Sequence, residues 1–230
     1  MDMIMDLQIL YEDDAILVCY KPAGIATQTR KIGQQDMESL LRNYRARRKE
    51  NPYIGVVHTL DQPVEGVMVF AKTPGAAAKL SEQIKNRAVG KHYYAVAWAD
   101  DYAGEDQGVL EDYLVFEQKS NLTRIVDRDV PGAKKAMLEY RIAGRTEGKL
   151  CADILLHTGR HHQIRAQFAH ADMPLVGDAK YGKRKEKCPL ALCSYRLEFA
   201  HPTSGENMDF SAVPKGDEFG AFLDNIYGKV

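Results

Sequence analysis

The chain has 230 residues, 45% of them hydrophobic and 27% charged, with a formal net charge of -1, which excludes a disordered tail, a fibre and a surface of uniformly positive potential. At this length folding buries roughly 70% of the unfolded surface, enough for one large domain or two lobes sharing a sheet without help from disulfides or metals. Met1 to Leu10 carries Asp2 and Asp6 where an export signal would be basic, and no apolar run approaches the about 18 residues of a membrane span, so a cytoplasmic protein is expected, with Cys19, Cys151, Cys188 and Cys193 as reduced, structural thiols.

In chain order, Ala15 to Tyr20 reads as a buried strand stopped by Lys21-Pro22-Ala23-Gly24, where proline removes a donor and glycine permits a tight turn. Met37 to Glu50 places Leu40, Leu41 and Tyr44 at helical spacing and ends on a cluster of arginines, Arg42, Arg45, Arg47 and Arg48. Val56 to Asp61 leads to a break at Gln62-Pro63, a second strand resumes over Gly66 to Ala71, and a proline-started helix is expected over Pro74 to Ala88. Strands are then expected at Lys91 to Trp98, Val109 to Phe116, Leu122 to Val126, Lys134 to Ala143 and Leu150 to His157.

Thr158-Gly159-Arg160 is positioned to cap a helix running to about Ala171, with Ile164 and Phe168 facing the core and Arg165 off their stripe. A second basic cluster, Lys180, Lys183, Arg184, Lys185 and Lys187, crowds the loop that follows, and strands at Leu190 to Phe199 and Asn207 to Phe210 precede a terminal helix over Glu218 to Tyr227. Runs of strands mixed with few helices predict an α+β fold built on a mainly antiparallel sheet flanked by helices, forming a single domain.

Reactive groups concentrate at His58 to Asp61, Lys91 to Tyr94 and His157 to Asp178. A loop aspartate such as Asp61 is more commonly a turn or cap residue, and strand tyrosines such as Tyr93 are more commonly core. His157, His161, His162, His170, Asp172 and Asp178 invite a metal, but adjacent His161 and His162 would point about 100° apart on a helix, so no metal site is expected. No Gly-x-Ser-x-Gly elbow, Walker loop or dinucleotide fingerprint occurs.

Order and spacing over the whole chain say more. Tyr20-Lys21-Pro22-Ala23-Gly24, Val57-His58-Thr59-Leu60-Asp61, Lys91-His92-Tyr93-Tyr94 and Thr158-Gly159-Arg160-His161-His162-Gln163-Ile164-Arg165, followed by Val176-Gly177-Asp178 and Tyr181-Gly182, resemble the RluA-type pseudouridine synthases over about residues 9 to 214. The resemblance implies the pseudouridine synthase fold, with a catalytic cleft across the sheet, and a cofactor-free isomerase acting on uridines of structured RNA, a ribosomal or transfer RNA stem-loop. It implies Asp61 as the catalytic carboxylate, Tyr93 stacking on the target uracil and Arg165 as the basic partner of the aspartate. Whether the carboxylate adds to sugar or base, or instead removes a sugar proton to give a glycal, stays open.

The resemblance also implies that His58, Thr59, Leu60, Arg160, His162, Gln163 and Ile164 surround the substrate. Arg42, Arg45, Arg48, Lys183, Arg184 and Lys185 are the expected contacts to the RNA backbone. Thr59 stands where the family usually has an arginine that holds the gap left by a flipped base, which motivates a second reading: an RNA-binding or RNA-folding protein of little or no activity on the same fold. Nothing resembling an S4-type module precedes residue 9, so a short form acting as a monomer, without an obligate protein partner or membrane, is expected.

Overall fold

The computed structural model describes residues 7–228 except 30, 32, 101, 103, 147, 183, 185 and 186. The chain forms two compact units, the first drawn from Met1–Gly90 and Ser194–Val213, the second from Lys91–Cys193 and Pro214–Val230.

The first unit is ordered by its two most apolar strands. β1 (Gln8–Glu12) pairs antiparallel with β2 (Ile16–Lys21), and β2 pairs antiparallel with β4 (Glu65–Ala71), to which the two-residue β3 (Gly55–Val56) adds. Every residue of β2 and β4 is buried, which is why both read as continuous apolar runs and not as alternating ones. Gly66 is obligatory in β4, since it sits at φ 133° and a Cβ there would overlap the backbone of Ser194. Ser194 belongs to β10 (Leu192–Ala200), which carries β11 (Asn207–Ser211) antiparallel along its outer residues.

Two helices cover this unit. α1 (Met37–Arg47) starts in a capping box, the Asp36 side chain accepting from the Ser39 N–H at 2.8 Å while the Asp36 N–H donates to Ser39 Oγ at 3.1 Å. It buries Met37 and Leu41 and stops short of the expected Glu50 because Lys49 turns to φ 60°. α2 (Pro74–Lys85) begins on Thr73, whose hydroxyl accepts from the Ala76 N–H at 3.2 Å, and it packs Ala76 and Leu80 against Ile16, Val18, Val67, Val69 and Leu197. It ends before the expected Ala88, where Arg87 adopts φ 58°.

The second unit is an antiparallel sheet in the order β5 (Gly90–Trp98), β9 (Lys149–Leu156), β8 (Lys134–Thr146), β6 (Gln107–Glu117), β7 (Leu122–Val126). Directly paired residues share a face, so Tyr93, Ile154, Tyr140 and Gly108 form one row across four strands. α3 (Gln163–His170) lies on that face, with Phe168 edge-on to Tyr140 at 5.9 Å and Gln167 donating to the Leu110 carbonyl and the Asp112 carboxylate.

The entry to α3 differs from expectation. Thr158 does not cap it: its hydroxyl donates to Gln163 Oε1 at 2.7 Å and accepts from the Met137 N–H at 2.9 Å, and the helix begins only after His162, which takes a left-handed φ of 49°. The expected terminal helix is split into a 3-10 turn over Asp217–Phe222 and α4 (Leu223–Tyr227). Among the described residues, no helix is long and apolar enough to cross a membrane.

Candidate active site

In the first unit, Asp61 lies half-buried on the loop between β3 and β4, and that loop is fixed residue by residue. Leu60 is buried, its N–H donating to Thr27 Oγ1 at 3.1 Å and its carbonyl accepting from the same hydroxyl at 3.0 Å. Beyond the aspartate, the Gln62 carbonyl accepts from the Gly24 N–H at 2.8 Å and the Val64 N–H closes a turn on the Asp61 carbonyl at 3.0 Å. His58 Nε2 accepts from the Val69 N–H at 3.2 Å, which keeps that ring nitrogen unprotonated and binds the loop to β4. Thr59 is exposed.

Lys21 is the residue that ties these pieces together. Its side chain is fully buried at the end of β2, and Nζ donates to the carbonyls of Ile25 (2.6 Å), Pro22 (3.1 Å) and Gln62 (3.2 Å). Burial pulls its pKa down to about 8, against the opposing pull of the Asp61 and Glu65 carboxylates, so near neutral pH it is predominantly an ammonium. The buried Lys21 cation thus interacts electrostatically with Asp61 within its own unit. The signal was present in Lys21-Pro22-Ala23-Gly24, but its partners are backbone atoms up to 41 residues away.

In the second unit, Tyr93 is 7% exposed on the sheet face that carries α3, and Ile164 and Arg165 are buried on that helix. Arg165 is held by Asp178 in a two-pronged pair, Nε to Oδ2 at 2.8 Å and Nη2 to Oδ1 at 2.7 Å, with the two side chains 5% and 0% exposed. Burial raises the Asp178 carboxyl, but the Arg165 hydrogen bonds and charge and the N–H groups of Lys180 and Tyr181 more than reverse this, holding it below the ordinary carboxylate range. Gly177 before it sits at φ 73° where a Cβ would strike the Pro189 carbonyl, so the turn delivering Asp178 admits only glycine. Asp178 belonged to the motif but had no assigned role there, because its partner lies 13 residues back.

The rest of the Thr158 to Arg165 block builds this scaffold. Gln163 accepts from Thr158 Oγ1 and the Arg160 N–H and donates to the Met137 carbonyl and Gln167 Oε1, so all four of its hydrogen-bonding positions are filled inside the unit. Arg160 Nε donates to the Lys135 carbonyl at 3.0 Å. His162 is buried, with Nδ1 2.9 Å from the Tyr181 hydroxyl, and burial, reinforced by Arg165, His161 and Lys180, pushes its pKa down to about 3.

Since His162 titrates near 6.5 in an unfolded chain, the unfolded state takes the proton first as pH falls below that value. Stability present above pH 6.5 is therefore lost on acidification, about 2 kcal/mol of it by pH 5. Urea unfolding at pH 7 and pH 5 should show that loss in the wild type and a smaller one in His162→Gln; equal losses would contradict the assignment.

The two basic clusters fare differently. Arg45 is 6% exposed, donating to the carbonyls of Tyr53 (2.6 Å) and Lys72 (3.2 Å) and to Glu50, which corrects its expected contact with a phosphate: it anchors the turn after α1. Arg42 and Arg48 keep side chains 56% and 53% exposed, Arg48 braced on Glu50 at 2.8 Å. Arg184 pairs with Asp100 and lies 3.8 Å over the Trp98 ring, while Lys183 and Lys185 fall outside the described residues.

Among the described residues, no group of three or more His, Cys, Asp or Glu side chains is placed to hold a metal ion. Of the histidines that raised the question, His157 pairs with Glu139 at 2.8 Å and His162 with Tyr181.

Residues 15–170 match the RNA pseudouridylate synthase family, a span holding Lys21, Asp61, Tyr93 and Arg165. The chain belongs to that family. It is 35% identical over 230 aligned residues to ribosomal large subunit pseudouridine synthase D of Xanthomonas campestris pv. campestris, covering 91% of this chain and 66% of the relative. It is 33% identical to the protein of the same description from Neisseria meningitidis serogroup A, covering 90% and 58% respectively, so the chain spans somewhat less than two thirds of these relatives' length. The solved structure of human RNA pseudouridylate synthase domain containing 4 superposes with a TM-score of 0.76 at 20% identity over 95% of this chain and 92% of that one, which shows the α+β fold to be the pseudouridine synthase fold.

Proposed function

We propose that this protein isomerises uridine to pseudouridine in RNA, with ribosomal RNA of the large subunit as the substrate class. The relatives named for that activity and the family match support the reaction and the substrate class. The observation that carries the reading is the Asp61 loop, held by Thr27, Gly24 and Val69 and sharing its unit with the buried Lys21 ammonium, which suits a carboxylate held in place to react.

In this reading the N1 to C1' glycosidic bond breaks, the uracil turns, and a C5 to C1' bond forms as C5 gives up its proton and N1 takes one. Asp61 is the carboxylate acting at the ribose, Tyr93 the ring against the uracil, and Arg165 a cation that offsets negative charge on the reacting groups. Asp178 fixes the plane of the Arg165 guanidinium. No cofactor enters this chemistry.

Purified protein incubated with unmodified large-subunit ribosomal RNA should form pseudouridine at defined positions. RNA that is bound but unchanged would instead favour the RNA-folding reading motivated by Thr59.

Arg42 and the neighbouring Arg47, both exposed on α1, are proposed to meet phosphates. The double reversal Arg42→Glu with Arg47→Glu should weaken RNA binding and flatten the dependence of log K on log salt by about 1 to 2. A slope unchanged from wild type would remove α1 from the RNA-facing surface.

A further inference from the structure

The second unit presents an aromatic ring that no role above uses. Phe116, near the end of β6, is 45% exposed, the only phenylalanine so exposed among the described residues. A single exposed apolar side chain is ordinary in itself, so its direction and surroundings decide what it means. Along β6 the positions of Gly108, Leu110, Asp112, Leu114 and Phe116 fall on one face, and Gly108 lies in the row of Tyr140, Ile154 and Tyr93. Phe116 therefore emerges on the face that carries Tyr93 and α3.

Its ring is backed by others. The Phe116 centroid is 4.1 Å from that of His161, and His161 is 3.7 Å from His162 with the planes 34° apart. The hairpin of β6 and β7 is fastened behind them: Thr123 Oγ1 donates to the His161 carbonyl at 2.7 Å, the Thr123 N–H donates to the Tyr181 hydroxyl at 2.7 Å, and Lys180 Nζ donates to the Asn121 carbonyl at 2.7 Å. Such anchoring lowers the entropy lost when a flat ligand lies on the ring. Beside the hairpin end stand two cations, Lys119 in the turn and the exposed Lys180, while Arg124 pairs with Glu117 at 2.8 Å on the opposite face of the sheet.

An exposed, fixed aromatic ring bordered by cations suits an unpaired nucleotide, because every base has a face to stack and a phosphate to neutralise. We propose that Phe116, backed by His161, is a stacking platform for an unpaired base of the RNA, with Lys119 and Lys180 meeting the adjoining phosphates. The proposal rests on the RNA-modifying reading above and deepens it, since recognition by stacking selects a loop or bulge over a duplex.

The test uses the full chain and a fluorescein-labelled RNA stem-loop with an all-uridine loop, read by fluorescence anisotropy, together with thermal unfolding of each variant. Phe116→Ala should weaken binding about 10-fold or more with little change in melting temperature, and Phe116→Trp should return it to within about 2-fold of wild type. Ultraviolet cross-linking of the wild-type complex should attach uridine within residues 113–126 or at His161.

Wild-type binding with Phe116→Ala equally tight, or Phe116→Trp as weak as Phe116→Ala, overturns the platform while leaving the enzyme reading intact. Wild type that binds neither this stem-loop nor ribosomal RNA overturns both.

Discussion

Asp61→Asn is expected to lower pseudouridine formation by about 10⁴-fold or more, the scale on which enzymes lose activity when a group in the bond-making step is removed. The substitution keeps the shape of the side chain and removes its charge. The loop should hold its place, because its anchors are the Thr27 hydroxyl, the Gly24 N–H and the Lys21 contacts to backbone carbonyls, none of which uses the Asp61 side chain. Binding of RNA should accordingly survive while turnover disappears, and single-turnover assays at saturating enzyme measure the two separately. One further consequence follows from Lys21. Asp61 opposes the burial that lowers the Lys21 pKa, so its loss should move that pKa further below about 8. A variant retaining a tenth of wild-type activity would show that Asp61 is not the reacting carboxylate.

Asp178→Ala should cost about 3 to 5 kcal/mol, because it leaves the buried Arg165 guanidinium without its two-pronged partner. In a chain of this length that corresponds to a fall in melting temperature of roughly 6 to 20 °C. The same carboxylate also accepts the N–H groups of Lys180 and Tyr181, so the turn leading into the basic loop should loosen with it. Calorimetry checks the first effect, and activity at a temperature where the variant is folded checks whether Arg165 still works when its orientation is lost. A melting temperature within about 2 °C of wild type would mean that the pair contributes little.

How much of this was legible in the sequence depends on how local the determining physics is. β2 and β4 stand out because strands buried on both faces are written as unbroken apolar runs, whereas β1, Gln8 to Glu12, mixes exposed and half-buried positions over five residues and gives no such signal. Both helices of the first unit announce themselves, one through Leu40, Leu41 and Tyr44 at helical spacing and one through Pro74, yet they end earlier than their patterns predict because Lys49 and Arg87 adopt a left-handed turn with no glycine to mark it. The start of α3 was misplaced for a different reason: Thr158 looks like a cap, but Gln163 and Met137 take its hydroxyl.

The site divides in the same way. Asp61, Tyr93 and Arg165 can be proposed from sequence because the blocks around them occur in a recognisable order. The roles of Lys21 and Asp178 are not written in the sequence, since a buried lysine and a long-range carboxylate pair are made by tertiary structure. Arg45 misled in the opposite direction, a helix-end arginine that the fold turns inward to backbone carbonyls. Phe116 carried no sequence signal, as its exposure depends on the ending of the sheet around it.

The most direct test compares pseudouridine, position by position, in total RNA from cells carrying the intact gene, a deletion, or the Asp61→Ala allele. The account predicts that defined positions in large-subunit ribosomal RNA lose pseudouridine in the deletion and in the Asp61→Ala strain alike. Positions lost in the deletion but retained with Asp61→Ala, or a pattern that the deletion leaves whole, would contradict it.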